Sequence, residues 1–213
     1  MTRNSAIATM PMFPLGMVLL PTMVVPIHVF EPRYRQMTKD CLDGDREFGV
    51  VLIERGSEIG GGDTRTHAGT VAKIIDSQEF PDGRWGLVVG GMRRVQVVDW
   101  LEDDPYPRAE VQDWPDAGYV DNEDLARQVP SVAGLWRRVL ALQSELGAPG
   151  PPADFEISED PSTAIWQLSS LSPMGPLDRQ ELLATDNAAL RLALLAELLS
   201  DAEVVIRARI EMG

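Results

Sequence analysis

Short apolar runs separated by turn sequences occupy the first half of the chain. The runs cover residues 48–53, 67–77, 85–100 and 106–112, and Gly90-Gly91 is expected to divide the third of them into two β segments. The turn sequences are at residues 43–44, 60–62 and 81–83. Several short strands at this spacing predict a small barrel or a strongly curved sheet.

Prolines interrupt the opening segment, at Pro11, Pro14, Pro21 and Pro26. Because proline cannot donate a hydrogen bond to a neighbouring strand, the strands here are expected to be short or to lie at a sheet edge. Pro32 fits the first position of a helix that we expect to run to about Leu42 and to stop at Asp43-Gly44. The buried side of this helix is expected to consist of Tyr34, Met37, Cys41 and Leu42.

The second half of the chain has helical periodicity. Apolar residues recur at helical spacing through Leu125, Val129, Val132, Trp136 and Val139. Pro130 is expected to kink or divide this helix. Asp160-Pro161 is typical of a cap and first turn, residues 177–184 fit another short helix, and Asp186 is expected to cap a long final helix. That final helix carries Leu190, Leu194, Leu198 and Val205.

Charge is distributed unevenly along the 213 residues, whose formal net charge is −14. Residues 101–213 hold 21 acidic and 8 basic side chains. Such a field repels nucleic acid and anionic lipid, so neither is an expected partner. We interpret the acidic half as a solvated surface, with a site for basic partners as the alternative. Without a secretory signal or an apolar run long enough for a membrane span, the chain is expected to be cytoplasmic.

Motifs for catalysis and metal binding are scarce. Two histidines, His28 and His67, and the single Cys41 give no zinc-type spacing, although a site made only of carboxylates stays open. The glycine-rich residues 56–62 lack the Gly-Lys-Ser/Thr ending of a phosphate loop, and no Gly-x-Ser-x-Gly elbow occurs. Cys41 is interpreted as a buried thiol, and His28 as a core or sheet histidine. We therefore expect no enzyme, no cofactor and no metal.

The most specific motif is the run Met12-Phe-Pro-Leu-Gly-Met-Val-Leu-Leu-Pro-Thr-Met-Val-Val-Pro-Ile-His-Val-Phe-Glu-Pro-Arg-Tyr-Arg35. It resembles the opening of the N-terminal substrate-binding (LON) domain of ATP-dependent Lon proteases, whose pattern includes Phe-Pro-Leu, Leu-Phe-Pro and Leu-His-x-Phe-Glu-x-Arg-Tyr. Leu20 stands where that family usually has Phe, and Thr22 where it often has Gly. The resemblance continues through residues 48–53, 69–74, 91–97, 105–111, 180–186 and 191–192, and is weakest over 113–160.

This resemblance implies an α+β fold: an N-terminal twisted β-sheet pseudo-barrel of the PUA-like type with one short helix, followed by a C-terminal α-helical bundle. We expect a β-rich LON subdomain over residues 1–116 and a helical subdomain over 117–213. Without a Walker motif or a protease domain before its last residue, Gly213, the chain resembles the stand-alone bacterial members of the family. The resemblance implies a non-enzymatic module that binds unfolded or specific polypeptides.

Six residues are candidates for peptide or partner binding: Met17, Leu20, Met23, Glu31, Arg33 and Tyr34. Methionine is flexible and polarizable, so the methionines of the opening segment fit a promiscuous apolar groove beside the first strands, but they equally fit core filler. Glu31, Arg33 and Tyr34 could recognise a partner. The alternative is structural, with Glu31 paired to an arginine and Tyr34 packed beneath the sheet.

Two further functional hypotheses come from different classes. The chain could be a structural or adaptor protein that binds one dedicated partner, or itself as a homodimer, through its helical half. RNA binding is suggested only by the PUA-like fold, and the net charge of −14 argues against it.

Overall fold

The computed structural model describes residues 6–55, 64–117, 122–152 and 155–212, which form parts of two units, Met1–Pro115 and Asp116–Gly213. The glycine-rich segment 56–62, with its expected turn, lies outside the described residues. Within those residues, the first unit contains the strands and one helix, and the second contains four helices.

The sheet of the first unit has six described strands: β1 (Ala8–Leu15), β2 (Val24–Val29), β3 (Glu47–Arg55), β4 (Thr64–Glu79), β5 (Trp85–Trp100) and β6 (Arg108–Asp113). They lie in the order β2-β5-β4-β3-β1-β6, and β6 also pairs with β5. Five strands therefore close into a ring, while β2 lies outside it and pairs only with β5. The predicted sheet-based pseudo-barrel is confirmed.

β5 is one continuous strand, so the prediction that Gly90-Gly91 divides it into two segments is wrong. Gly91 pairs with Ala72, and Met92 is the extra residue of a β-bulge beside this pair. A Cβ atom on Gly91 would overlap the carbonyl oxygen of Leu20. The glycine is therefore explained by the close approach of the preceding loop to the strand, and not by a break in the strand.

Two apolar cores lie on opposite faces of β1, β3 and β4. In β1, Met12 packs in the interior of the ring, whereas the next residue, Phe13, packs on the other face. In β3, Val51 likewise packs in the interior of the ring, and Val50 packs on the face of Phe13. Because successive side chains of a strand point to opposite faces, strands buried on both sides are apolar throughout.

The prolines of β1 and β2 occupy positions where a proline nitrogen is tolerated. β1 pairs with β6 over Ala8–Pro11 and with β3 over Met12–Leu15, so each half of the strand has one neighbour only. β2 lies at the edge of the described sheet. Both strands are short and edge-like where the prolines fall, which confirms the expectation from the sequence.

The helix of the first unit is α1 (Pro32–Asp43), which begins with proline and ends before Gly44, as predicted. It packs on the outer side of the ring against the core that contains Phe13. Its buried residues are Tyr34, Met37, Thr38 and Cys41, and Leu42 is half-buried.

The second unit contains α2 (Asn122–Glu145), α3 (Pro161–Leu171), α4 (Pro176–Ala184) and α5 (Ala188–Met212). α2 is not divided at Pro130, which lies on the exposed side of a helix whose other side packs into the bundle core. On this side water can hydrate the Ala126 carbonyl, which the missing N–H of Pro130 leaves without its helical donor. Asp160 caps α3 as predicted, since its carboxylate accepts a hydrogen bond from the Thr163 N–H at 2.8 Å. The expected helical bundle is confirmed.

The last helix differs from the prediction in its cap. Asn187, and not Asp186, caps α5: its side-chain oxygen accepts a hydrogen bond from the Leu190 N–H at 3.0 Å. Among its apolar residues, the buried ones are Ala188, Leu192, Leu195, Leu199 and Ile206. Of the four residues named from the sequence, Leu190 and Val205 are exposed, and Leu194 and Leu198 are half-buried. None of the described helices combines the length and apolar character that crossing a bilayer requires.

Candidate functional site

Leu20 and Met23 close a tight turn that leads into β2. The Leu20 N–H donates to the Met23 sulfur at 3.2 Å, and the Met23 N–H donates to the Leu20 carbonyl at 3.2 Å. Between them, Thr22 has a φ of 73°. The Leu20 side chain is 0% exposed. In this structure Leu20 therefore shapes the turn and offers no side-chain surface to a partner.

Met17 and Met23 are half-buried and pack against the core that contains Phe13. Val25 of β2 and Leu42 of α1 pack against the same core and are also half-buried. These four residues therefore combine core packing with a partly accessible apolar surface.

Tyr34 lies inside the core that contains Phe13. Its ring stacks on Phe13 with a centroid distance of 4.2 Å, and it is 3% exposed. The guanidinium carbon of Arg33 lies 4.5 Å from the Tyr34 ring centroid. A buried ring with a cation on its face stabilises the start of α1 and offers little contact area to a ligand.

Arg33 joins the start of α1 to the loop between β5 and β6. Its Nε atom lies 3.1 Å from the Glu31 carboxylate, and its Nη1 atom lies 3.9 Å from Asp103. Asp103 also accepts a hydrogen bond from Arg65 at 3.3 Å, and Arg65 stacks on the Trp100 ring. Glu31 and Arg33 thus lie in an internally paired cluster that holds the loop in place.

An exposed apolar surface lies beside this segment, on the solvent-facing side of β2, β5 and β4 that is opposite the core containing Phe13; we call this side of the three strands the outer face. Val24 and Pro26 of β2, Val88 of β5 and Ile75 of β4 make up this surface, which we call the outer-face patch. Val24 is 62% exposed and Ile75 is 56% exposed. Pro26 pairs with Val88, which places the two on the same face of neighbouring strands. None of these four residues was among the six candidates.

Two glycines of β5 let larger side chains lie across the outer face. The Ile75 Cδ1 atom lies 3.0 Å from where a Cβ atom of Gly90 would be, so Ile75 extends over β5 towards Val24, the partner of Gly90. The Phe80 ring lies in the same way over Gly86 and is nearly parallel to the His28 ring, at 6.1 Å. His28 is thus an exposed sheet histidine, which agrees with one of the two interpretations of this residue.

The sequence contains a partial signal for the outer-face patch. In β2, the exposed residues Val24, Pro26 and His28 alternate with Val25, Ile27 and Val29. Both sets are largely apolar, so the pattern does not indicate which set faces solvent. Ile75 is the extra residue of a β-bulge between Ile74 and Asp76. The bulge changes the alternation and turns Ile75 outwards.

Cys41 and Tyr106 are titratable groups of the first unit that do not belong to the outer-face patch. Cys41 is buried, and burial, with the nearby carboxylates of Asp45 and Asp40, raises the pKa of its thiol to about 12. Burial and the hydrogen bond that its hydroxyl donates to Asp40 at 2.8 Å raise the pKa of Tyr106 to about 12. Both groups are therefore protonated at neutral pH. Within the described part of the chain, no three His, Cys, Asp or Glu side chains group as metal ligands.

Comparison with known proteins agrees with this fold. Residues 9–201 match the ATP-dependent protease La (LON) substrate-binding domain, and the chain belongs to this family. Lon protease 2 of Herpetosiphon aurantiacus is 30% identical over 194 residues, which cover 90% of this chain and 23% of that protease. The chain thus spans about a quarter of the length of the curated relatives it matches.

Solved structures of the same domain are similar over most of their length. A Lon N-terminal domain protein from Xanthomonas campestris has 28% sequence identity and a TM-score of 0.62, covering 89% of this chain and 97% of that one. The N-terminal domain of a Mycobacterium avium complex Lon protease has a TM-score of 0.65 at 20% identity, covering 91% of this chain and 99% of that one. The second likeness concerns the fold alone.

Proposed function

We propose that this chain is a non-enzymatic polypeptide-binding module, which recognises segments with exposed apolar side chains through the outer-face patch. The observation that supports it most is that Val24 and Ile75 are both more than half exposed on one face of paired strands. Contiguous apolar surface on a soluble domain marks an interaction site more often than scattered exposed residues do. Membership of a substrate-binding family supports a polypeptide as the ligand.

The chemistry of the patch determines which polypeptides it favours. Its apolar side chains are surrounded on β4 by Lys73, Asp76 and Gln78, which are polar and at least partly accessible. Burial of apolar surface contributes about 25 cal/mol per Å² and is not directional. Such a surface therefore selects apolar segments that folded proteins keep inside, with little dependence on their order of residues.

We further propose that binding involves no reaction, cofactor or metal, and takes place in the reducing cytoplasm. The only cysteine, Cys41, is a buried free thiol. Its raised pKa makes it a poor nucleophile. Neither Cys41 nor Tyr106 belongs to the outer-face patch, so the proposed ligand reaches neither group.

The direct test is fluorescence anisotropy with a labelled, reduced and carboxymethylated polypeptide, run beside the native form of the same polypeptide. We expect binding in the micromolar range to the unfolded form alone. Val24→Asp combined with Ile75→Asp places two charges in the patch and should weaken binding by about tenfold or more, which corresponds to about 1.4 kcal/mol.

A matched control variant is Val98→Asp, since Val98 also lies on β5, is 44% exposed and is outside the patch. Thermal unfolding of each variant confirms that the fold is retained. Equal affinity of the wild type, the double variant and the control would contradict this location of the site. Absence of binding by the wild type would contradict the function itself.

A second candidate function is an adaptor or homodimer that uses the helical unit. The observation in its favour is that Val204, Val205 and Met212 are exposed on the last turns of α5. Sedimentation velocity over a range of concentrations tests it. A dimer that Val204→Lys abolishes would support this candidate, and a monomer at all concentrations would exclude self-association.

A further inference from the structure

One edge of β2 has no neighbouring strand in the described sheet. β2 pairs with β5 on one side through Val24–Val29 and is the terminal strand in the sheet order. The ring strand β5, in contrast, has partners on both sides. An edge strand presents backbone N–H and C=O groups that can pair with a further strand.

The hydrogen-bond alternation shows which residues of β2 face the free edge. The Gly91 N–H donates to the Met23 carbonyl at 2.8 Å and the Gly91 carbonyl accepts from the Thr22 N–H at 2.9 Å, so Thr22 and Met23 together oppose Gly91 and the regular ladder begins with the next pair, Val24 and Gly90. In an antiparallel ladder hydrogen-bonded pairs alternate with non-bonded pairs. Val25, Ile27 and Val29 therefore bond β5. The backbone groups of Val24, Pro26 and His28 point to the free edge.

Those backbone groups have no partner within the described residues. Neither the turn and loop hydrogen bonds nor the side-chain hydrogen bonds of the described chain involve the main-chain atoms of Val24, Pro26 or His28. Val24 and His28 each offer one donor and one acceptor. Pro26 between them offers an acceptor only. No hydrogen bond between β2 and β5 is lost at Pro26, because its nitrogen points to the free edge.

The same three residues carry the side chains of the outer face, so the free edge and the outer-face patch are continuous. In an antiparallel pair, residues opposite each other have their side chains on the same face. A strand added antiparallel to β2 would thus place the side chains of the residues opposite Val24 and His28 beside the patch. Its intervening side chains would lie on the face of Val25, which is half-buried together with Met23 and Met17.

We propose that the free edge of β2 binds an extended polypeptide segment as an added antiparallel strand, with apolar side chains directed to the outer-face patch. This proposal rests on the proposed function and specifies its binding mode. The amides of Val24 and His28 form the main-chain hydrogen bonds, and the patch buries every second side chain of the ligand. Main-chain pairing explains how one surface can accept many sequences.

Backbone methylation of a peptide probe tests this mode without altering the protein. The probe is a capped, fluorescein-labelled octapeptide that alternates Val and Thr. In the antiparallel arrangement the Val amides face β2 and the Thr amides face away. Methylation of the Val nitrogens should weaken binding by about tenfold or more, because each lost hydrogen bond to a desolvated partner is unfavourable. Methylation of the Thr nitrogens should change affinity by about twofold at most.

Equal effects of the two methylation patterns would overturn strand addition, and selective loss with the Thr set would overturn the antiparallel direction. The proposed function would survive both results if Val24→Asp combined with Ile75→Asp still weakened binding of the unfolded polypeptide. If that polypeptide does not bind the wild-type protein at all, it is the proposed function that fails.

Two substitutions at one position provide the complementary test. Val24→Pro keeps the apolar surface and removes one free-edge donor that the β5 ladder does not use. Val24→Thr keeps the donor and the shape of the side chain. Val24→Pro should weaken octapeptide binding by about tenfold, and more than Val24→Thr does. Unchanged binding by a folded Val24→Pro variant would overturn the proposal. The proposal would also be overturned if the wild-type protein formed a dimer and the Val24→Pro variant were a monomer, since a second copy of the chain would then occupy the edge of β2.

Discussion

Arg191 of α5 and Asp116 form a bidentate ion pair in the helical unit. The Arg191 Nη2 atom lies 2.6 Å from Asp116 Oδ1, and Nη1 lies 3.2 Å from Oδ2. Arg191 is 0% exposed, donates further hydrogen bonds to the carbonyls of Leu182 and Thr185, and stacks over Trp166 at 3.8 Å. Each part of the guanidinium thus has a partner, which is what permits a buried charge.

Removing one partner of this pair should destabilise the protein strongly. Asp116→Ala leaves the Arg191 charge buried without its counter-ion, and we expect the free energy of unfolding to fall by about 3 kcal/mol. Urea denaturation at neutral pH measures it. The control is Lys39→Ala, which removes the exposed pair with Glu79 and should change the free energy by about 0.5 kcal/mol or less. Equal effects of the two variants would contradict the assigned role of Arg191.

Thr22 has a backbone conformation that favours glycine. Its φ of 73° lies in the left-handed region, which a β-branched residue adopts at a cost. Thr22→Gly should therefore raise the free energy of unfolding by about 1 kcal/mol, because relief of strain exceeds the added entropy of the unfolded chain. Thr9→Gly in β1 is the matched control and should lower it by about 0.5 to 1 kcal/mol. Denaturant curves that show destabilisation by both substitutions would refute strain at Thr22.

Gly91 and Gly134 should respond to the same substitution with opposite signs. At Gly91 an added methyl group would overlap the Leu20 backbone, so Gly91→Ala should destabilise the protein by about 2 kcal/mol or more. At Gly134, inside α2, no atom lies within 4 Å of the Cβ position, and Gly134→Ala should stabilise it by about 1 kcal/mol. A melting temperature of Gly91→Ala at or above that of the wild type would show that the loop before β2 can move away from β5.

The cap of α3 should lose its effect in acid. Hydrogen bonds from the Thr163 hydroxyl and N–H hold the pKa of Asp160 below its usual 3.8. A carboxylate with a lowered pKa stabilises the folded state above the unfolded-state pKa, and this stabilisation disappears as the pH falls through the folded-state pKa. Asp160→Ala should thus lower the free energy of unfolding by about 1 kcal/mol at pH 7 and by less below pH 3.

The control for this cap is Asp160→Asn, because asparagine caps a helix without a titrating group. The difference in the free energy of unfolding between Asp160→Asn and Asp160→Ala should therefore be the same at pH 7 and below pH 3. A difference between the wild type and Asp160→Ala that stays constant from pH 7 to pH 2.5 would disprove the titration of the cap.

Local patterns predicted the elements whose determinants lie within a few residues. The start of α1 at Pro32, its end before Gly44 and the cap of α3 at Asp160 depend on backbone geometry and on hydrogen bonds over short sequence separations. The resemblance to the LON family predicted the sheet-based first unit and the helical second unit. The cap of α5 was predicted one residue too early, because Asp186 and Asn187 are both suitable caps and only the helix start distinguishes them.

The sequence by itself determined the type of most elements, the α+β class and the lack of an evident catalytic motif, because periodicity and turn residues act locally. Only the tertiary structure decided that β5 runs unbroken past Gly91 and that Leu20 is buried. It also decided that Val24 and Ile75 face outwards together. Burial depends on which neighbours a strand acquires, and in a chain whose strands are apolar on both faces no local pattern distinguishes the inner face from the outer one.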